Sequence, residues 1–319
     1  MKKLNALLAT LLVASSGAFA QAYPAKPIRF VVGFPAGSSI DIVSRIVLDD
    51  IRERTGAAIL VDNKAGALGS LGLAEVVKAA PDGYTLMPSS SATHSSGPYL
   101  SRALEKLQPQ VATSHVARLV QFNIAVVTNS SGAYKSAEAL VEAGRKKPDA
   151  LTYGFGSGTG QVGGAAFSKA SGIAARPIPY KGQPPAITDL LGGQVDFVAA
   201  DLGVFLPFLK QGNLTAIAVL SDKRSSILPN VPTAAELGYA GAVLNGWIGV
   251  DGPAKLPAEV TTWWTQQVKT ALATPKVQDK LKTVGMEPAP MFGNDFVKFV
   301  ADQYGVWGKH VRDAGIQVE

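Results

Sequence analysis

The feature that most constrains the fold of this chain is an alternation of short apolar segments with amphipathic helical segments. Ile28–Val32 is an apolar run, and after a glycine-rich turn the apolar residues of 40–54 recur every three to four positions. Gly56 then ends that helical pattern. Because strand–helix–strand units place their strands side by side in parallel, the alternation predicts an α/β fold with crossover helices.

The same alternation continues along the chain. Further strands are predicted at 58–61, 84–87, 124–128, 151–153, 176–179, 195–199, 214–220 and 246–250. Further helices are predicted at 69–79, 136–145, 162–170, 184–191, 205–210, 257–273, 275–284 and 294–314. If the helical tail packs on the first unit, the chain crosses twice between two units, which makes a hinge and a cleft. We therefore predict lobe 1 from 21–122 plus 222–319 and lobe 2 from 123–221.

Residues 1–20 have the pattern of a cleaved export signal. Lys2 and Lys3 precede an uncharged apolar run, and Ala18 and Ala20 supply small residues at the −3 and −1 positions. We expect cleavage after Ala20, with a second possible site two residues later. The run is too short to span a membrane, and a buried N-terminal helix is the alternative reading.

Composition narrows the class of protein further. The chain has no cysteine, so it has neither disulfides nor a lipid-anchoring cysteine. Its formal net charge of +6 falls by two when Lys2 and Lys3 leave with the signal. The basic clusters at 145–147 and 223–224 are explained better by solvated faces than by nucleic-acid binding. A mild positive field would help to gather anionic solutes.

Three loops rich in Gly, Ser and Thr follow predicted strands, at 34–39, 89–94 and 154–160. Open α/β sheets bind ligands beyond the carboxyl ends of their strands. Exposed N–H groups at a helix start accept a carboxylate or phosphate without an arginine. The alternative is that the serines only cap helices and the glycines only form turns. The role of Asp41 is likewise left open, since this residue fits the acidic position of a capping box and could also face a ligand.

Several kinds of chemistry are disfavoured by spacing. Residues 158–163 fit G-x-G-x-x-G after a strand, but Tyr180, Lys181 and Gly182 stand where the ribose-binding acid of a dinucleotide site is expected. The histidines at 94, 115 and 310 have no metal-ligand spacing, so neither a metal nor a cofactor is predicted. No G-x-S-x-G elbow occurs. A serine–histidine–acid site built in space around His94 stays open as an alternative.

Four stretches resemble one known family. They are residues 23–41, with Gly33-Phe34-Pro35-Ala36-Gly37-Ser38-Ser39-Ile40-Asp41; 79–86, Ala-Ala-Pro-Asp-Gly-Tyr-Thr-Leu; 179–196, with Pro179-Tyr180-Lys181-Gly182; and 228–233, Leu-Pro-Asn-Val-Pro-Thr. They resemble the Bug family, the solute-binding proteins of tripartite tricarboxylate transporters of the TctC type. The stretches span the chain in the family's order.

The resemblance implies a type II periplasmic binding-protein fold, with two lobes, a hinge and an interdomain cleft. It implies a monomer in the periplasm of a Gram-negative cell, without catalysis. The expected partners are a small carboxylate solute (an organic acid, an aromatic acid or an amino acid) and membrane transporter subunits. Carried over by position, the ligand contacts would be Phe34, Gly37, Ser38, Ser39, Asp41, Ser89, Ser90, Ser91 and His94 in lobe 1, and Gly156, Ser157, Gly158, Thr159, Tyr180, Lys181, Gly182 and Asp201 in lobe 2.

The chain departs from the family pattern at four places. These are Lys64-Ala65-Gly66, Ser96-Gly97-Pro98, Gly160-Gln161-Val162-Gly163 and Ala200-Asp201-Leu202-Gly203. The last three border the expected cleft, so they leave the identity of the solute open. A ligand sensor that signals to a membrane receptor would share the cleft and is an alternative function. A periplasmic hydrolase on the same scaffold is another.

Overall fold

The computed structural model describes residues 23–148 and 150–317, and the export signal with its cleavage sites lies outside them. The strands are β1 Ile28–Val32, β2 Ile59–Asn63, β3 Thr85–Ser90, β4 Thr113–Asn129, β5 Leu151–Phe155, β6 Ala175–Pro179, β7 Phe197–Asp201, β8 Leu214–Val219, β9 Asn245–Pro253 and β10 Glu287–Phe292. The α-helices are α1 Ser39–Thr55, α2 Ser70–Val77, α3 Gly97–Leu100, α4 Arg102–Leu107, α5 Pro109–Ala112, α6 Ala137–Lys146, α7 Gly158–Ser171, α8 Gln183–Leu191, α9 Leu202–Lys210, α10 Ala258–Ala273, α11 Pro275–Thr283 and α12 Gly293–Asp313. Among these residues no helix combines the length and the apolar character that a membrane crossing requires.

The sheet of lobe 1 has the strand order β2-β1-β3-β9-β4, with β10 on the other side of β4. The pairs β1–β2 and β1–β3 are parallel, as the alternation predicts. The strands β9, β4 and β10 pair antiparallel to their neighbours. The prediction of a parallel sheet is therefore confirmed for the first three strands and wrong for the rest of this lobe.

Lobe 2 is built in the same way around β5. Its neighbours β6 and β7 both run parallel to it. The strands β7 and β8 pair antiparallel with the second half of β4. In both lobes the parallel strands carry the glycine- and serine-rich loops at their carboxyl ends.

The lobes are joined by strand β4, whose 17 residues serve both sheets. Residues up to Asn123 pair with β9, and Ile124 begins the pairing with β7. The returning chain crosses beside it, where Leu244 N donates to Leu220 O and Asn245 faces Asn123. Two adjacent crossings of this kind form a hinge.

Each lobe has its own core. In lobe 1, Phe30 and Trp264 belong to a cluster between the sheet and helices α1 and α10. In lobe 2, Tyr153, Phe167 and Phe197 form the centre of a second cluster, in which their rings lie 5.5 to 5.8 Å apart. A third cluster, with Phe205, covers the opposite face of the lobe 2 sheet. The two lobes thus have separate hydrophobic cores on either side of the double crossing.

The packing departs from the predicted lobe division at two places. The segment 222–244 packs on lobe 2, since Ala234, Ala242 and Leu244 belong to its core. Helix α12 packs on both lobes, because Phe296 contacts Trp247 of lobe 1 while Trp307 lies in the lobe 2 core. The second crossing therefore lies near residue 244 and not at 222, and a single long helix spans the two lobes.

Candidate functional site

The first loop of the site is the start of helix α1. Ser38 is its N-cap, and its hydroxyl accepts from the backbone N–H of Asp41 at 3.4 Å. Gly37 has φ +83°, a conformation that favours glycine, and it turns the chain into the helix. Phe34 lies just before this turn, and its carbonyl accepts from Asn63 Nδ2 at 3.0 Å. The strand-to-helix turn thus presents the helix N-terminus beyond the end of β1.

The carboxylate of Asp41 is hydrogen-bonded to other residues of lobe 1. Its carboxylate accepts from Gly37 N at 2.9 Å, from Arg45 Nε at 3.0 Å and from Asn63 Nδ2 at 2.9 Å. Burial alone would raise the pKa of Asp41, but these hydrogen bonds and the Arg45 charge hold it below its usual range. The sequence left two roles open for Asp41, a helix-capping role and contact with a ligand. The geometry favours a role in stabilising the loop, because the carboxylate is already bonded within lobe 1.

The second loop is the start of helix α7 in lobe 2. Ser157 is its N-cap and accepts from Gly160 N at 3.2 Å. Its hydroxyl also lies 2.9 Å from Thr159 Oγ1, which donates to Asp201 Oδ1 at 3.1 Å. This chain of hydroxyls places a second helix N-terminus, with its polar side chains, at the end of β5.

The 180–182 loop is held against this second helix start by a backbone contact that only glycine permits. A Cβ on Gly156 would lie 2.0 Å from the carbonyl carbon of Gly182, which itself has φ +102°. Tyr180 is partly buried, and its hydroxyl donates to Asp189 at 2.7 Å. Burial and that hydrogen bond raise the pKa of Tyr180 to about 12, so the phenol stays protonated. Lys181 is exposed.

The two helix starts meet across the lobes. Ser39 Oγ, in the first turn of α1, donates to Asp201 Oδ2 at 3.4 Å over a sequence separation of 162 residues. Gly158 packs directly against Leu100 and lies beside Ser96, which follow β3. Asp201 is 7% exposed. Burial raises its pKa to about 6, and the hydroxyls of Thr159 and Ser39 lower it by less.

Ser89 and Ser90 end strand β3, Ser91 follows them, and all three are buried. The hydroxyl of Ser89 is buried and has no partner among the described residues. Ser90 caps the helical turn Ser91–Ser96 by accepting from Thr93 N at 3.3 Å. Ser91 Oγ accepts from Trp247 N at 3.4 Å. Two of the three serines thus fix the loop, and Ser89 keeps an unused donor and acceptor.

His94 belongs to a buried cluster that sequence spacing did not indicate. Its ring lies beside Thr93, with Nδ1 2.8 Å from that hydroxyl, and Nε2 is 3.2 Å from Asp251 Oδ2. His115 Nδ1 lies 2.6 Å from the same oxygen, and Thr113 donates to it at 2.6 Å. Both nitrogens of His94 therefore have partners inside lobe 1. Because both ring nitrogens already have partners, His94 is poorly placed to act as the general base of a hydrolase site.

The three side chains His94, His115 and Asp251 are of metal-ligand type, and their ligand atoms lie within 4.8 Å of one another. Ligand atoms of a tetrahedral metal ion lie about 3.3 Å apart. The 2.6 Å distance from His115 Nδ1 to Asp251 Oδ2 is shorter than this and is that of a direct hydrogen bond. Burial lowers the pKa of His94. Burial is the largest effect on His115 and would lower its pKa, but the Asp251 charge and the hydrogen bonds to Asp251 and to the Gln110 carbonyl together raise it. Both histidines hold the pKa of Asp251 well below its usual range although burial opposes this. In this buried, hydrogen-bonded cluster the directions of the pKa shifts favour a positive charge on His115 over one on His94.

Two lobes on a double hinge, with helix N-termini from each lobe meeting at their contact, are the architecture of a two-lobed binding-protein fold. The profile of the family described as tripartite tricarboxylate transporter family receptor (TctC) matches residues 43–316. The chain belongs to this family, whose members are periplasmic solute-binding proteins, and the resemblance found in the sequence is confirmed.

Individual relatives agree over nearly the full length. BugT of Bordetella pertussis is 32% identical over 314 residues, which cover 94% of this chain and 93% of BugT. The structure of the periplasmic binding protein BugD has a TM-score of 0.81 at 28% identity, covering 93% of this chain and 100% of that one. An R. palustris protein solved with adipate has a TM-score of 0.85 at 27% identity, with the same coverage. These likenesses confirm the predicted two-lobed fold.

Proposed function

We propose that this protein captures a small carboxylate-bearing solute between its lobes in the periplasm and delivers it to the membrane subunits of a tripartite tricarboxylate-type transporter. The observation that carries the proposal is the convergence of the α1 and α7 N-termini, linked through Ser39, Asp201 and Thr159. Helix N-termini attract carboxylates through free N–H groups and partial positive charge. A relative with bound adipate and the family's role in transport support the class of solute and the partner.

The hinge explains how binding and delivery are coupled. Contacts such as the one from Ser39 to Asp201 form only when the lobes are together, because the two residues lie on different lobes. A solute held by both lobes stabilises that closed arrangement and thereby changes the surface offered to a membrane partner. Export by the signal at residues 1–20, which lies outside the described residues, belongs to the same proposal.

A thermal-shift screen over mono-, di- and tricarboxylates, aromatic acids and amino acids tests solute binding. A solute at one hundred times its Kd should add about 2.7 kcal/mol to the free energy of unfolding. Native mass spectrometry of the purified protein should show one solute per chain. No shift with any acid, together with no bound solute in the purified protein, would contradict the proposal.

Two hydroxyl deletions then test the position of the site. Ser38→Ala and Thr159→Ala should each weaken binding of the screened solute by about 1 to 3 kcal/mol, because a ligand or cleft oxygen loses its partner. Thr261→Ala is the matched control, since its hydroxyl bonds only to its own helix at an exposed position. Unchanged affinity in both cleft variants would remove these two loops from the site.

A further inference from the structure

Asp201 is an acid placed where the lobes meet. It is the last residue of β7 and directly precedes α9. One of its carboxylate oxygens accepts from Thr159 of lobe 2, and the other accepts from Ser39 of lobe 1. The side chain therefore lies at the contact between the N-termini of α1 and α7, where a solute held by both lobes would lie.

The charge of Asp201 is not balanced by a cation. Within the parts of the chain that the structure describes, no lysine, arginine or histidine nitrogen lies within 4 Å of it. Asp41, the other acid at these helix starts, differs in this respect because Arg45 pairs with it. Among the described residues, the carboxylate of Asp201 is contacted by the hydroxyls of Thr159 and Ser39 and by its own backbone N–H, none of which carries a full positive charge. An uncompensated buried carboxylate is costly, and a cationic group brought by a ligand would remove that cost.

The helix N-termini can still accept a carboxylate of the solute through their backbone N–H groups. A second carboxylate placed near Asp201, however, would meet a like charge in a region of low dielectric constant. An ammonium group in the same place would meet an opposite charge and the carboxylate lone pairs that Thr159 and Ser39 leave free. The two kinds of solute are therefore expected to differ in affinity.

We propose that Asp201 sets the charge class of the solute: it pairs with an ammonium group that the solute carries in addition to its carboxylate, and it excludes solutes with a second carboxylate in that place. This inference rests on the proposed function and narrows its substrate class from small carboxylates to amino carboxylates. Asp201 acts as a specificity-determining residue that contacts the solute directly.

The test compares solutes matched in length that differ only in their second charged group. The pairs are succinate with 4-aminobutanoate, glutarate with 5-aminopentanoate, and adipate with 6-aminohexanoate, measured by titration calorimetry and thermal shift. The unaltered protein should bind the amino member of the best-fitting pair at least tenfold more tightly. Asp201→Asn, which keeps the shape and removes the charge, should abolish or reverse that preference. Asp302→Asn removes a charge from an exposed ion pair of α12 and should leave the preference unchanged.

The outcomes separate the inference from the function on which it rests. A preference for the dicarboxylates in the unaltered protein overturns the inference by itself, even if Asp201→Asn does not fold. An equal preference in the unaltered protein and in Asp201→Asn also overturns it, and solute binding then stands. Failure of these pairs and of the full acid screen to bind overturns the proposed function.

Discussion

The buried carboxylate of Asp201 should make the stability of this protein depend on pH in a way that one substitution removes. Burial raises its pKa from 3.8 to about 6, so the folded protein holds this proton more tightly than the unfolded chain does. A carboxyl with a raised pKa contributes stability that is fully present below the unfolded value. That stability is lost as the pH rises through the folded value.

The magnitude follows from the size of the shift. About two pH units at 1.36 kcal/mol each correspond to a loss of about 3 kcal/mol between pH 4 and pH 6, with no further change above that. In Asp201→Asn this position is neutral at every pH. The unfolding free energy of the variant minus that of the unaltered protein should therefore rise by up to about 3 kcal/mol from pH 4 to pH 7.

Urea unfolding followed by circular dichroism at pH 4, 5, 6 and 7 measures this difference. Other titrating groups contribute equally to both proteins and cancel in the subtraction. Asp302→Asn, on an exposed helix face, should give a nearly flat difference over the same range. A flat profile for Asp201→Asn, or one that falls toward pH 7, would refute the assignment of a buried carboxyl with a raised pKa at the lobe contact.

Two further predictions concern other parts of the fold. Asp251→Asn leaves the buried His115 without its counter-charge and should lower the free energy of unfolding by about 3 to 5 kcal/mol, whereas the exposed Asp302→Asn should change it by less than about 1 kcal/mol in urea titrations. Gly156→Ala should lower the midpoint of unfolding by an amount equivalent to about 1 to 3 kcal/mol, because its methyl group meets the Gly182 carbonyl. Gly305→Ala, on an open helix face, should raise stability instead; equal effects at both glycines would contradict the close approach.

Most of the regular structure could be predicted from periodicity, and the misses have physical causes. The first half of β4, residues 113–123, contains His115, Arg118 and Gln121 and does not read as an apolar strand, yet two neighbouring strands satisfy its backbone. Strand β10 contains Pro288 and Pro290 and is an edge strand, where a missing N–H is tolerated. Helix α7 begins at Gly158, four residues before its predicted start, because glycines with low helix propensity are favoured there by close packing.

Part of the candidate site could also be predicted from the sequence. The loops at 34–39 and 154–160 were predicted from strand ends and capping residues, and the structure brings their helix starts to one place. The role of His94 could not be predicted from sequence spacing, because its partners His115 and Asp251 come from strands β4 and β9, which are distant in sequence. The participation of all the predicted contacts in solute binding stays a prediction until the variants are measured.

The sequence by itself determined the α/β alternation, the helix caps and the position of polar loops at strand ends, because these depend on contacts within a few residues. Only the tertiary structure decided which of the two acids faces the other lobe. Asp41 is paired with Arg45 one helical turn away, whereas Asp201 meets Ser39 across 162 residues through the arrangement of the lobes about strand β4. A local pattern cannot specify such a contact, since it follows from how the two cores and the hinge place the helix starts in space.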